Sequence, residues 1–387
     1  MALDAVAILD RLVGFDTVSA KSNLALIEWI ADYLDGYGIA SALTRSPDGG
    51  KANLFATIGP AERGGVILSG HTDVVPVAGQ AWETDPFRLD ARGDRLYGRG
   101  TADMKGFIAL ALALAPQALA PPLEVPLHLA LSYDEEVGCL GVPGLIGALP
   151  KGAARPRLAI IGEPSGMRVA NAHKGIQFLR TRVTGHEAHS SAPDHGVNAI
   201  AAAAEIIGEI SRVAAGCRAS SSPDSRFDPP FTSFNIGRIE GGTAVNIIAR
   251  DCVFEWEFRA VPGEDDAALR RRIDDFVAGD LLPRLRSAHP DAAISTETAA
   301  LVPPLVPDPL SPAEALAREL TGANETTTIA FATEAGLFQA AGIPAVICGP
   351  GSIDVAHQPN EYVTRAQFAE GAAFLDRLLA WAREGGR

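Results

Sequence analysis

Five short segments of the 387-residue chain set a histidine or a carboxylate in or beside an apolar run. In Leu68-Ser69-Gly70-His71-Thr72-Asp73 the aspartate stands two residues from the imidazole, where it can orient a histidine that ligates a metal. In the segment 98–106, Asp103 lies between glycines that permit unusual backbone angles, and an apolar helical run follows. Ser132-Tyr133-Asp134-Glu135-Glu136-Val137-Gly138 places three consecutive carboxylates after an apolar strand. Such neighbours repel, so a fold that keeps them near a cleft supplies a cation or uses one of them as a proton carrier. Glu163 follows the run 159–162, and His357 follows Ala356 in the C-terminal part. Each segment also has an ordinary reading: a structural histidine, a helix cap by Thr101 or Asp103, a solvated acidic turn. Their joint occurrence is far more specific. Two histidines with three or four carboxylates and no thiolate suit a pair of divalent ions, zinc first, with cobalt or manganese as substitutes.

Positioning these groups requires a layered scaffold. Residues 24–34 and 107–113 carry helical periodicity, and 65–70 and 127–132 read as strands, so the N-terminal part alternates as an α/β sheet does. Side chains that do chemistry in such sheets gather just past the carboxyl ends of strands, where His71, Asp134 and Glu163 fall. From about residue 173 the order becomes strand 175–183, helix 199–214, strand 231–239, strand 247–260, helix 265–282 and strand 292–298. This βαββαβ order is that of a ferredoxin-like unit inserted into one discontinuous domain. Residues 220–230 read as a polar loop, and the proline-rich 303–312 as the connector back.

A formal net charge of -14 opposes long-range attraction to phosphate, so neither nucleic acid nor an anionic membrane is an expected partner. Cys139, Cys217, Cys252 and Cys348 form neither a CxxC pair nor a disulfide framework, which points to reduced thiols in a cytoplasmic protein. The N-terminal segment shows no export signal, and every apolar window stops well short of the ~20 residues of a membrane span.

Taken together, the motifs SGHTDVVP (69–76), YGRGTADMKG (97–106), SYDEEVGCLG (132–141), IIGEPS (160–165), GHEAHSSAPDHGVNAI (185–200), GGTAVNIIA (241–249) and GPGSIDVAHQPNEY (349–362) resemble one family end to end. It is the zinc-dependent amidohydrolase and exopeptidase family of acetylornithine deacetylase, succinyl-diaminopimelate desuccinylase, aminoacylase and carboxypeptidase G. The resemblance implies a discontinuous zinc-exopeptidase-like catalytic domain, with a mixed sheet between helices, over 1–172 and 300–387. It implies a dimerisation or lid domain over 173–299 and a homodimer. Asp103 would bridge two zinc ions; one would also take His71 and Glu163, the other Glu136 and His357. Asp73 would orient His71. Glu135 would be the general base toward a water activated between the ions. His189, reaching from a partner subunit, would steady the developing oxyanion, whereas His186 and His195 read as surface residues. Ser165 and Asn360 depart from the residues the family usually carries.

The segment 332–338 and the 349–359 block are similar to those of acetylornithine deacetylases, so hydrolysis of N-acetylornithine in arginine biosynthesis is the expected activity. Glu334 could pair with the ammonium of ornithine, or serve as an acid at a helix N-terminus. Asn246 and Arg259 match positions that handle the substrate carboxylate, although Arg259 could equally form a strand-end salt bridge. The alternatives are a general aminoacylase, a desuccinylase or a dipeptidase of the same mechanism. A non-catalytic metal-binding scaffold is disfavoured, because it has no need of a base such as Glu135.

Overall fold

A computed structural model describes residues 3–386. The chain forms two compact units. One comprises the residues up to Ala172, Leu305–Thr328 and those from Thr333 onward; the other comprises His173–Pro304 with Ile329–Ala332.

The first unit is built on an eight-stranded sheet in the order Ser41–Arg45, Ala52–Ile58, Leu127–Ser132, Val66–His71, Leu158–Pro164, Ala345–Gly349, Ala170–His173, Thr327–Ile329. The third to sixth strands run parallel, while Ser41–Arg45, Ala52–Ile58 and Ala170–His173 pair antiparallel. The four parallel strands are buried along their whole length, which is why they read as continuous apolar runs without alternation. The helix Lys105–Leu114 packs against the sheet and between Ala5–Val13 and Arg365–Arg383. Its Phe107 presses so closely on Gly162 that a Cβ there would lie 2.0 Å from the ring, so the residue before Glu163 must be glycine. The parallel strands all end at one edge, and that edge carries His71, the 133–136 turn, Glu163 and the segment leading to His357.

The second unit is a four-stranded antiparallel sheet in the order Ser233–Gly241, Asp251–Arg259, Ile176–Thr184, Ala293–Val302. With helix Ala199–Ala219 after the first strand in sequence and helical segments from Asp266 to Ala288 before the last, this is the ferredoxin-like topology. Cys252, Phe254, Trp256 and Phe258 alternate inward along one strand and pack on Ile206, Ile210 and Val213 of the first helix. That helix starts at Asn198, whose side chain accepts from the backbone N–H groups of Ile200 and Ala201. All four cysteines are buried and free. Among the described residues, no helix is long and apolar enough to cross a membrane.

Candidate metal centre

His71 is the last residue of its strand and is almost wholly buried. Its Nδ1 lies 2.9 Å from the Asp73 carbonyl oxygen, so Nε2 faces the opposite way, toward Asp103 Oδ1 at 2.9 Å and Glu163 Oε1 at 3.7 Å. Asp103, just before helix Lys105–Leu114, turns its other oxygen to His357 Nε2 at 3.2 Å. His357 Nε2 is in turn 3.1 Å from Glu136 Oε2. One carboxylate thus stands between two imidazoles, one oxygen to each, with a further carboxylate beside each imidazole. The five residues expected as ligands fall in a single cluster.

Asp73, expected to orient His71, meets it and also makes further contacts. Its carboxylate is 3.7 Å from His71 Nδ1, and the closer contact is through its backbone carbonyl. The carboxylate also accepts from the Ser19 hydroxyl at 2.7 Å and from the backbone N–H groups of Glu135 and Glu136 at 3.0 and 3.3 Å. It anchors the turn that presents the two glutamates. Asp134 points elsewhere, to an ion pair with Lys51. Among the described residues Glu135 makes no hydrogen bond to either imidazole, although its carboxylate lies within 4.8 Å of donors on His71 and Glu163; its Oε1 is 3.4 Å from the Cys139 thiol.

The electrostatics of the cluster follow from its burial and crowding. Burial, followed by repulsion from Asp103, pushes the Glu163 carboxyl well above its usual range and Glu136 up to about 7. Burial also raises Glu135, with the Glu136 charge adding to it. Hydrogen bonds to Asp103 and Glu136 lift His357 to about 10. Burial opposes ionisation of Asp103, yet the bonds from His357 and His71 overcome it and hold that carboxyl low. Buried Glu136 Oε1 has no partner among the described residues. Crowded carboxylates that borrow imidazolium protons are a donor set for a divalent cation, which would take the place of those protons. Two donor triplets fall within 4.8 Å, His71 with Glu135 and Glu163, and His71 with Asp103 and Glu136. The nitrogen and oxygen donors fit zinc, cobalt or manganese.

Glu334, expected either to meet the substrate ammonium or to serve as an acid at a helix N-terminus, stands at the head of helix Ala335–Ala340. It is fully buried, and its two oxygens accept from the Ser69 hydroxyl, at 2.7 Å, and the Ser132 hydroxyl. It ties together the ends of the two central strands that deliver His71 and Glu135. Ser69 and Ser132 lie inside quoted motifs, but nothing in their spacing announces a shared acceptor so distant in sequence. His189, Asn246 and Arg259 lie in the second unit. There, His189 pairs with Ile247 in a β-bridge and its Nδ1 is 2.7 Å from Ser191 Oγ, while the Asn246 carbonyl accepts from Ser190 N–H at 3.1 Å. Arg259 pairs with Glu257 at 3.0 Å, the strand-end salt bridge. Asn360 has φ +60°, a left-handed conformation that asparagine tolerates, and accepts from Glu83 N–H at 2.8 Å.

The profile of peptidase family M20/M25/M40 matches residues 67–381. The chain belongs to that family. This M20 hydrolase is 35% identical over 386 residues to an acetylornithine deacetylase of Myxococcus xanthus, covering 97% of this chain and 96% of the relative. It is also 35% identical to an acetylornithine deacetylase of Proteus mirabilis, covering 94% and 91%. Among solved structures it is similar to an M20 metallo-carboxypeptidase of Sulfolobus solfataricus, with a TM-score of 0.76 at 18% identity over 97% of this chain and 98% of the other. A dinuclear metal binding peptidase of the family from Bacillus subtilis gives a TM-score of 0.64 at 16% identity, covering 98% of each chain. At these identities the solved structures speak for the fold alone. The curated relatives and the family together support amidohydrolase activity.

Proposed function

We propose that this M20 hydrolase cleaves the amide bond of N-acetylornithine, releasing ornithine and acetate, with two zinc ions held by His71, Asp103, Glu136, Glu163 and His357. The observation that carries the reading is Asp103, whose two oxygens face two imidazoles while Glu135 stands alongside without binding either. When bound, the ions supply a water acidic enough to attack an amide at neutral pH and a Lewis-acid contact for its carbonyl oxygen. Glu135 takes the proton from the attacking water and delivers it to the leaving nitrogen. Burial raises the proton affinity of Glu135, the direction that a group taking a proton from water requires. Asp73 keeps the Glu135 backbone in place.

His189 is assigned to the oxyanion, supplied from a partner subunit through the 173–299 domain of a cytoplasmic homodimer. Asn246 and Arg259 are assigned to the substrate carboxylate; for Arg259 this requires exchange of its Glu257 partner. Zinc-loaded protein assayed on N-acetylornithine, N-acetylmethionine and N-succinyl-diaminopimelate tests the substrate. The reading predicts the highest kcat/KM for N-acetylornithine, and equal or better turnover of either competitor rejects it. The full-length resemblance to acetylornithine deacetylases supports this choice over a general aminoacylase.

A further inference from the structure

A buried ion pair that no ligand role uses joins the turn carrying Asp103 to the loop carrying His357. Glu361, 1% exposed, accepts through Oε1 from the backbone N–H groups of Ala102 at 2.9 Å and Asp103 at 3.1 Å. Its Oε2 accepts from Arg99 Nη1 at 2.7 Å, and its backbone carbonyl accepts from Gly98 N–H at 3.0 Å. Arg99, equally buried, donates through Nη1 to the Gln358 carbonyl at 3.3 Å and through Nη2 to Gln80 Oε1 at 2.6 Å. Gln80 closes the ring by donating from Nε2 to the His357 carbonyl at 2.8 Å. His357 has φ +63°, a left-handed conformation that a residue with a Cβ keeps only where its surroundings hold it.

We infer that Arg99, Glu361 and Gln80 are positioning residues that fix Asp103 against His357 and thereby set the affinity of one of the two metal positions, that of Asp103, Glu136 and His357. The inference rests on the ligand assignment proposed above. The other position is placed by different means: His71 and Glu163 sit at the ends of adjacent parallel strands of the central sheet, where the ladder itself holds them. Breaking the ring therefore loosens one position more than the other. Groups that orient metal ligands typically contribute about 10–100-fold in metal affinity.

The test is titration of metal-free protein with cobalt(II), followed by calorimetry and by visible absorption, for the parent, Glu361→Gln and Gln80→Ala. Glu361→Gln places an amide against the Arg99 guanidinium, whereas Gln80→Ala removes the outer link, together with the acceptor of the Trp82 indole N–H, and leaves the ion pair intact. The parent is expected to bind two cobalt ions. In Glu361→Gln the ion beside His357 should weaken by about 10–100-fold with a changed absorption band, while the other, which shares Asp103 but keeps His71 and Glu163 on the sheet, weakens less. Gln80→Ala should weaken the same ion in the same direction, and it decides the matter if Glu361→Gln does not fold. Equal weakening of both ions, or no weakening, overturns the inference. A parent that fails to bind two ions overturns the ligand assignment instead.

Discussion

Glu135 and Glu136 are neighbours in the chain with different surroundings. Glu136 Oε2 lies against His357, whereas Glu135 touches only the Cys139 thiol on its carboxylate. Under the proposed assignment that difference makes Glu136 a ligand and Glu135 the base. Glu135→Ala should keep two zinc ions per chain and lose turnover by about 10²–10⁴-fold, as measured by kcat and elemental analysis. Loss of an ion would make Glu135 a ligand, in the triplet it forms with His71 and Glu163. Glu334 is a second residue whose role the surroundings decide. Glu334→Ala removes the carboxylate acceptor of two buried serine hydroxyls, of which Ser69 keeps only a long contact to the Ala130 carbonyl, and should lower unfolding stability by about 2–4 kcal/mol. The ratio of KM for N-acetylornithine to that for N-acetylmethionine should stay unchanged. A rise in the first alone, at unchanged stability, would restore the substrate contact. Sequence could name Glu334 but not its partners, because hydrogen bonds across a sheet leave no local pattern.

At the scale of elements, the apolar strands and the two-period alternation of the inserted sheet were legible because burial dictates them. Ser41–Arg45, Ala170–His173 and Thr327–Ile329 were not, being short or half-exposed. The strand Ala293–Val302 runs past its expected end through a bulge between Thr298 and Ala300 that interrupts its alternation. Strand Leu127–Ser132 also buries a histidine. His128 stacks on Phe55 at 5.3 Å, its Nδ1 is 3.0 Å from Thr57 Oγ1, and Nε2 has no partner among the described residues. Burial lowers its pKa to about 4, so the folded chain keeps it neutral where the unfolded chain, near 6.5, takes up a proton. The contribution is fully present above about pH 6.5 and is lost as pH falls toward about 4, on the order of 3 kcal/mol. Denaturant midpoints at pH 7 and pH 4.5 should therefore converge in His128→Leu relative to the parent. Equal pH slopes for the two proteins would show that His128 does not carry this term.

For the molecule as a whole, the motifs gave the cluster before the fold did, because ligands to one centre sit at strand ends that the sheet must bring together. Arg99 and Glu361 lie in the segments 97–106 and 349–362, and no local pattern ties one to the other. An ion pair between distant segments becomes visible only when the chain is closed. The central claim is that Asp103 is shared between two metal positions, and anomalous diffraction at the zinc edge from crystals of the zinc-loaded protein tests it most directly. Two peaks are expected to flank the Asp103 carboxylate, one beside His71 and Glu163 and the other beside Glu136 and His357. A single peak, or two that leave Asp103 bound to only one, would contradict it.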